Sequence, residues 1–205
     1  MNDINGYFIA VDGPNGVGKT TFINAVQESL QAKGYRVYVT REPTNTILGK
    51  FIREYAEVHS GISLACLVAA DRYEHIEKEI IPALEEGKIV ISDRYILSSL
   101  ILQEMDGVSS KFVVNINSEI LRPDLQLALF ASEEVLQKRL LEREELTRFE
   151  KGNQSKKELY FMQQGIIELK KQGIEVVEVY NEKCLEEKVE EVVKRVIVKW
   201  KGKKI

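Results

Sequence analysis

Gly13-Pro14-Asn15-Gly16-Val17-Gly18-Lys19-Thr20 fits the pattern G-x-x-x-x-G-K-[ST] without a substitution, and this constrains the fold more than any other stretch. Such a loop must turn several backbone N–H groups toward one anion, and its glycines permit the torsions and close approach this requires. It also needs a strand before it and a helix after it, because the helix N-terminus adds positive potential at the anion. Tyr7–Val11 reads as that strand, and Phe22, Ile23, Val26 and Leu30 follow at helical spacing from a start near Gly18. In this frame Lys19 reaches the β- and γ-phosphates of a nucleoside triphosphate and the Thr20 hydroxyl ligates Mg²⁺. Gly13, Asn15, Gly16, Val17, Gly18 and Thr21 complete the expected cradle for the ATP phosphates.

The remainder of the 205 residues alternates short β-rich runs with longer helical patterns. Further strands are expected at Arg36–Thr40, Ile89–Ser92, Leu125–Phe130 and Glu175–Val179. Alternation of this kind implies βαβ crossovers, hence an α/β fold with a mainly parallel sheet covered on both faces. No repeat, low-complexity linker or Pro/Gly-rich boundary divides the chain, so residues 1–205 read as one domain. A last amphipathic helix carries Leu185, Val189, Val192, Val193, Val196, Ile197 and Trp200 on one stripe, which reads as packing. The formal charge of −3 argues against a nucleic-acid polymer held by bulk positive charge. Cys66 and Cys184 follow no metal or disulfide spacing. The apolar run Leu64–Ala70 is too short to cross a bilayer, and the N-terminus lacks a signal-peptide layout, so a soluble, cytoplasmic protein is expected.

The loop alone does not choose between switch, motor and transferase. A guanine-specifying N-K-x-D is missing, and Asp3-Ile4-Asn5-Gly6, with the spacing of a switch motif, precedes the loop instead of following it. A large ATP-driven motor normally needs more chain than this, so a small-molecule kinase fits best, and four arginine-bearing segments are its candidate phosphate contacts. Ser92-Asp93-Arg94-Tyr95 ends the third strand at the edge where ligands of open parallel sheets gather, placing Asp93 to hold Mg²⁺ through water and Arg94 to grip a phosphoryl acceptor. Thr40-Arg41-Glu42-Pro43 ends the second strand at the same edge. Arg72, in an apolar helical stretch, needs a partner, for which a helix salt bridge with Asp71 or Glu74 is the plain alternative. Arg139, Arg143 and Arg148 fall in the charged stretch Gln137–Glu150, either on a solvated helix face or closing on transferring phosphates.

The order GPNGVGKTT, TREP, AADR, SDRYILSS, RPDL and an arginine-bearing segment resembles the bacterial thymidylate kinase family from about Phe8 to Glu150. The resemblance implies an α/β three-layer fold of the P-loop nucleoside-triphosphate hydrolase type around a five-stranded parallel sheet, that of a nucleoside monophosphate kinase with ATP and Mg²⁺, transferring the γ-phosphoryl to dTMP, with a mobile lid near 137–155 and a homodimer. It implies that Arg41 of TREP and Arg94 contact the acceptor phosphate, and that Glu42 belongs to the acceptor-binding set. It places Arg53 and Arg72 on the acceptor nucleotide, Arg72 at the base edge, with Ser99 and Gln103 beside it. Arg143, with Arg139 or Arg148, would be the lid arginines, consistent with a phosphate loop that has Asn15 and no arginine of its own.

Departures from the family's pattern concentrate on the acceptor side. Val68 stands where the family has a phenylalanine that stacks on thymine, and Ile101-Leu102-Gln103 stands for A-Y-Q. Asn15 replaces an acid, and Thr44-Asn45 replaces Gly-Gly after TREP. Loss of two aromatic walls removes stacking of about 1–3 kcal/mol per base. Two alternatives follow: a related enzyme for another (deoxy)nucleotide or a modified nucleotide, or a nucleotide-binding protein with little catalysis.

Overall fold

Tyr7–Asp12 forms β1, and all six residues are buried because the strand lies mid-sheet with helices on both faces. The computed structural model describes residues 5–143, 146–151, 154–182 and 184–203. The other strands are β2 (Val37–Arg41), β3 (Ile89–Asp93), β4 (Leu125–Phe130) and β5 (Val176–Tyr180). They form one five-stranded sheet in the order β2-β3-β1-β4-β5, and every pairing is parallel. The expected α/β architecture is therefore present, with strand ends displaced by a residue at most.

Between the strands run α1 (Lys19–Ala32), α2 (Ile47–Val58) and α3 (Ile62–His75). A π-helical turn, Ile76–Ile80, joins α3 to α4 (Ile81–Glu85). Then follow α5 (Ile96–Met105), α6 (Ser110–Ile116), α7 (Glu133–Leu141), α8 (Ser155–Lys171) and α9 (Leu185–Lys203). Period-two alternation divides the core. Phe8, Ala10, Val90 and Ala128 face Leu97, Leu100, Met162 and Ile166 of α5 and α8. Tyr7, Ile9, Val11, Ile91 and Leu127 face Phe22, Val26, Val192, Val193 and Val196 of α1 and α9, so the terminal apolar stripe is packing.

From β1 the chain skips to the edge strand β2, returns to β3, and crosses β1 to reach β4. This reversal opens a crevice beyond the carboxyl ends of β1, β3 and β4, where the loop after β1 and the Asp93-Arg94 pair meet. The expected lid, 137–155, takes in the end of α7 and the first residue of α8; Glu144, Glu145, Gly152 and Asn153 lie outside the described residues. Among the described residues, no helix is long and apolar enough to cross a membrane.

Candidate active site

Gly18 caps the N-terminus of α1 at φ 89° and Gly16 turns the loop at φ 81°, both in the left-handed region that a side chain disfavours. The loop closes on its own lysine. Lys19 Nζ donates to the carbonyls of Gly13 (3.0 Å) and Pro14 (3.1 Å). Burial, reinforced by the neighbouring Arg94 charge, brings its pKa down to about 7, against the opposing pull of Asp93, Glu158 and Asp12. Val17 turns its side chain wholly into the core, so only its backbone serves the loop. Its carbonyl accepts from Arg139 Nη1 (3.0 Å) and Asn181 Nδ2 (2.7 Å), which brace the loop from behind. Arg139 also donates to the Asn181 carbonyl at 3.1 Å; it supports the loop and does not line the cleft.

Asn15 is the hub of a polar chain that its place in the motif does not announce. Its Oδ1 accepts from Arg94 Nη2 at 2.7 Å, and its Nδ2 donates to Glu158 Oε1 at 2.6 Å. Its backbone N–H donates to Glu158 Oε2 at 2.8 Å. Glu158, in the first turn of α8, is 1% exposed, and burial lifts its carboxyl above the ordinary value despite the Asn15 N–H, Arg94 and Lys19. Arg94 is held at φ 77°, unusual for a residue with a Cβ, by its N–H on the Val11 carbonyl (2.9 Å). Its Nη1 donates to Ser98 Oγ at 3.3 Å. Asp12, the last residue of β1, accepts from the N–H groups of Tyr95 (2.8 Å) and Ser98 (3.0 Å) and from Gln126 Nε2 (2.9 Å), fixing the start of α5.

Thr20 Oγ1 lies 3.5 Å from Asp93 Oδ2, while Asp93 Oδ1 is buried without a hydrogen-bond partner. A hydroxyl and an orphaned carboxylate oxygen beside a phosphate loop suit Mg²⁺, which keeps several waters and takes few protein ligands. Clusters of three or more His, Cys, Asp or Glu suited to a metal do not occur among the described residues, and this mode of binding needs none.

Opposite the loop lies the arginine-rich half of the same cleft, about 740 Å³ in all. Arg72 is 1% exposed, and its partner is not on its own helix. Nε donates to Glu42 Oε2 (2.9 Å), Nη2 to Ser99 Oγ (2.8 Å) and Nη1 to Asn117 Oδ1 (2.7 Å), and Nη2 is ion-paired with Glu42 Oε2 at 2.8 Å. Burial opposes its charge, but Glu42 outweighs burial and keeps the guanidinium above its ordinary value. Nη1 carries two N–H groups and gives one to Asn117, which leaves its second for a ligand. Glu42, expected in the acceptor-binding set, lines the same cleft. Its carboxylate is turned to Arg72 and, at 3.2 Å, to His75 Nδ1, because a buried arginine demands a counter-charge. Asp71 likewise makes no helix salt bridge; it accepts from Thr44 N (2.8 Å) and Oγ1 (2.6 Å).

Arg41 is exposed at the end of β2 and lines the cleft; Arg53 donates from Nη1 to the carbonyls of Pro43 (2.7 Å) and Thr44 (2.8 Å). Val68, Leu102, Ser99 and Gln103 line the same half, and Gln103 Oε1 is buried and unpartnered. Thr21 is exposed at the other end. Arg143 reaches the cleft, its side chain 48% exposed and paired with Glu150. Arg148 does not. Its guanidinium grips Asp106 bidentately (2.7 and 2.8 Å), so the expectation of a second lid arginine on the phosphates fails in this conformation. Sequence reasoning missed Asp12, Asn181, His75 and Glu158. Only Asp12, at a strand end beside the loop, carried a local signal.

A phosphate loop at the end of the central parallel strand, facing a guanidinium-lined pocket across one crevice, defines a P-loop phosphotransferase of the nucleoside monophosphate kinase kind. Residues 11–193 match the family model described as Thymidylate kinase. A probable thymidylate kinase of Pyrococcus horikoshii is 42% identical over 156 residues, 72% of this chain and 76% of that one. A thymidylate kinase of Caldicellulosiruptor saccharolyticus is 41% identical over 145 residues, 67% of this chain and 70% of that one. A probable thymidylate kinase of Pyrobaculum calidifontis is 43% identical over 147 residues, 70% and 74% of the two chains. The chain belongs to the thymidylate kinase family. Two of these three relatives are archaeal, so the likeness extends beyond bacteria.

Proposed function

We propose that this chain moves the γ-phosphoryl group of ATP to the 5′-phosphate of a nucleoside monophosphate, with dTMP as the acceptor. The observation that carries the reading is that Lys19, Arg94 and Arg72 line one continuous cleft, a donor seat at one end and an acceptor seat at the other. An acceptor phosphate is already an anion, so transfer asks for alignment and charge neutralisation more than for a strong base. Lys19 exchanges its two loop carbonyls for β- and γ-phosphate oxygens. Arg94, tethered by Asn15 and Ser98, holds the acceptor phosphate in line. Arg143, which lines the cleft, neutralises charge on the transferring group. Thr20 and Asp93 would hold Mg²⁺, which when bound would spread the charge of the phosphate oxygens. The second N–H of Arg72 Nη1 and the unpartnered Gln103 Oε1 serve the base.

The experiment is an ADP-release assay with ATP and Mg²⁺ over a panel of deoxy- and ribonucleoside monophosphates. Preference for dTMP supports the assignment. Preference for another nucleotide would favour the alternative motivated by Val68 and Leu102, and ADP release independent of any acceptor would overturn transfer. The reading extends to one domain over 1–205, to the cytoplasm, where ATP is supplied, and to a homodimer. For the dimer, α2 exposes Ile47 (89%) and Phe51 (48%) on one face, apolar area that a second copy would cover. Sedimentation of the Phe51→Glu protein as a monomer, with wild type a dimer, supports it; a monomeric wild type refutes it.

A further inference from the structure

We propose that Phe149 is the aromatic wall of the acceptor site, held there by Arg148, which latches its turn to Asp106. This deepens the reading above and rests on it.

Among the described residues lining the cleft, the aromatic side chains are Tyr95 and Phe149. Tyr95 is not available to a ligand. It is fully buried, meets Phe8 edge-on at 5.0 Å, carries the Arg72 guanidinium over its ring at 5.1 Å, and donates its hydroxyl to the Leu121 carbonyl at 2.8 Å. Phe149 is half-buried on a surface turn, and the cleft reaches it.

Its location in the acceptor half follows from its neighbour. Arg148 holds Asp106, which caps α5 one turn beyond Leu102 and Gln103. Arg148 Nε donates to the Ala56 carbonyl at 2.6 Å and its backbone N–H to Glu57 at 3.1 Å, in the last turn of α2. The turn is internally built as well: Glu150 accepts from Thr147 N and Oγ1, each at 2.9 Å. The Arg148 guanidinium lies 4.1 Å from the Phe149 ring. It covers one face, supports the ring, and leaves the other face for a base, giving a guanidinium–ring–base stack. Val68 and Leu102 offer aliphatic edges to the same space. The stacking surface is thus delivered by the turn, not by α3.

The test compares Phe149→Ala, Phe149→Leu, Asp106→Asn and the double variant Phe149→Ala, Val68→Phe, using the monophosphate that the wild type prefers. Phe149→Ala is expected to raise the acceptor KM about tenfold while the ATP KM stays within about twofold. Phe149→Leu keeps apolar bulk but no π-face and recovers only part of the loss. Val68→Phe, supplying a ring from α3, recovers most of it. Asp106→Asn releases the latch and raises the acceptor KM several-fold with Phe149 intact. An unchanged acceptor KM in Phe149→Ala overturns the proposal, as does a loss confined to kcat or to the ATP KM. A wild-type acceptor KM in Phe149→Leu overturns stacking in favour of simple apolar cover. Should the wild type phosphorylate no monophosphate, the kinase reading itself fails, an outcome distinct from all of these. Thermal melts of each variant separate site effects from unfolding, and Asp106→Asn tests the latch without altering the ring.

Discussion

Asn15→Asp restores an acid in the phosphate loop, and the polar chain through Asn15 says what this costs. The side-chain amide is polarised in one direction, accepting from Arg94 and donating to Glu158 Oε1 at 2.6 Å. An aspartate keeps the first bond and replaces the second by two carboxylate oxygens in contact. Two unit charges at that distance repel by about 6 kcal/mol at an effective dielectric near 20, so the pair takes up a proton instead. Holding a proton at pH 7 on a carboxyl of ordinary glutamate acidity costs about 4 kcal/mol. The new Arg94–Asp pair offsets part of this, about 1–2 kcal/mol. The net loss is about 2–3 kcal/mol at pH 7, equivalent to roughly 2–4 °C of melting temperature per kcal/mol for a chain of this size. Its pH dependence is the signature. The folded pair binds a proton that the unfolded chain releases above the usual carboxylate range, so the deficit against wild type shrinks as pH falls toward 5 and grows as pH rises. Adding Glu158→Gln should rescue the variant, because a glutamine donates to the aspartate and still accepts from the residue 15 N–H. Melting curves at pH 5.5 and 8 measure this. An equal deficit at both pH values, or no rescue, would refute the reasoning.

Other outcomes follow from single contacts. With Lys19 near neutrality at pH 7, ATP should bind with uptake of up to one proton at pH 8, visible as a calorimetric enthalpy that changes with the buffer's ionisation enthalpy; buffer independence would contradict the depressed pKa. Glu42→Gln leaves buried Arg72 without a counter-charge and should lose about 3–5 kcal/mol in denaturant titrations, with the acceptor KM raised. Gly49→Ala sets a Cβ 2.0 Å from the Thr44 carbonyl oxygen and should cost about 1–3 kcal/mol, whereas Gly202→Ala, with nothing within 4 Å, should be neutral in the same melts.

Much of this protein was legible in one dimension. Strand positions, the phosphate loop and Asp93-Arg94 at a strand end are local signals, set by side-chain period and glycine torsions over a few residues. They determined an α/β fold and a donor site. Burial and charge pairing between distant segments are not local, and the sequence was silent on them. That Glu158 lies 143 positions from Asn15, that Glu42 neutralises Arg72 thirty positions on, and that Arg148 seizes Asp106 and not a phosphate were decided only when helices packed over the sheet. A buried charge must find whatever counter-charge the packing brings within reach, and chain order places no limit on where that partner comes from.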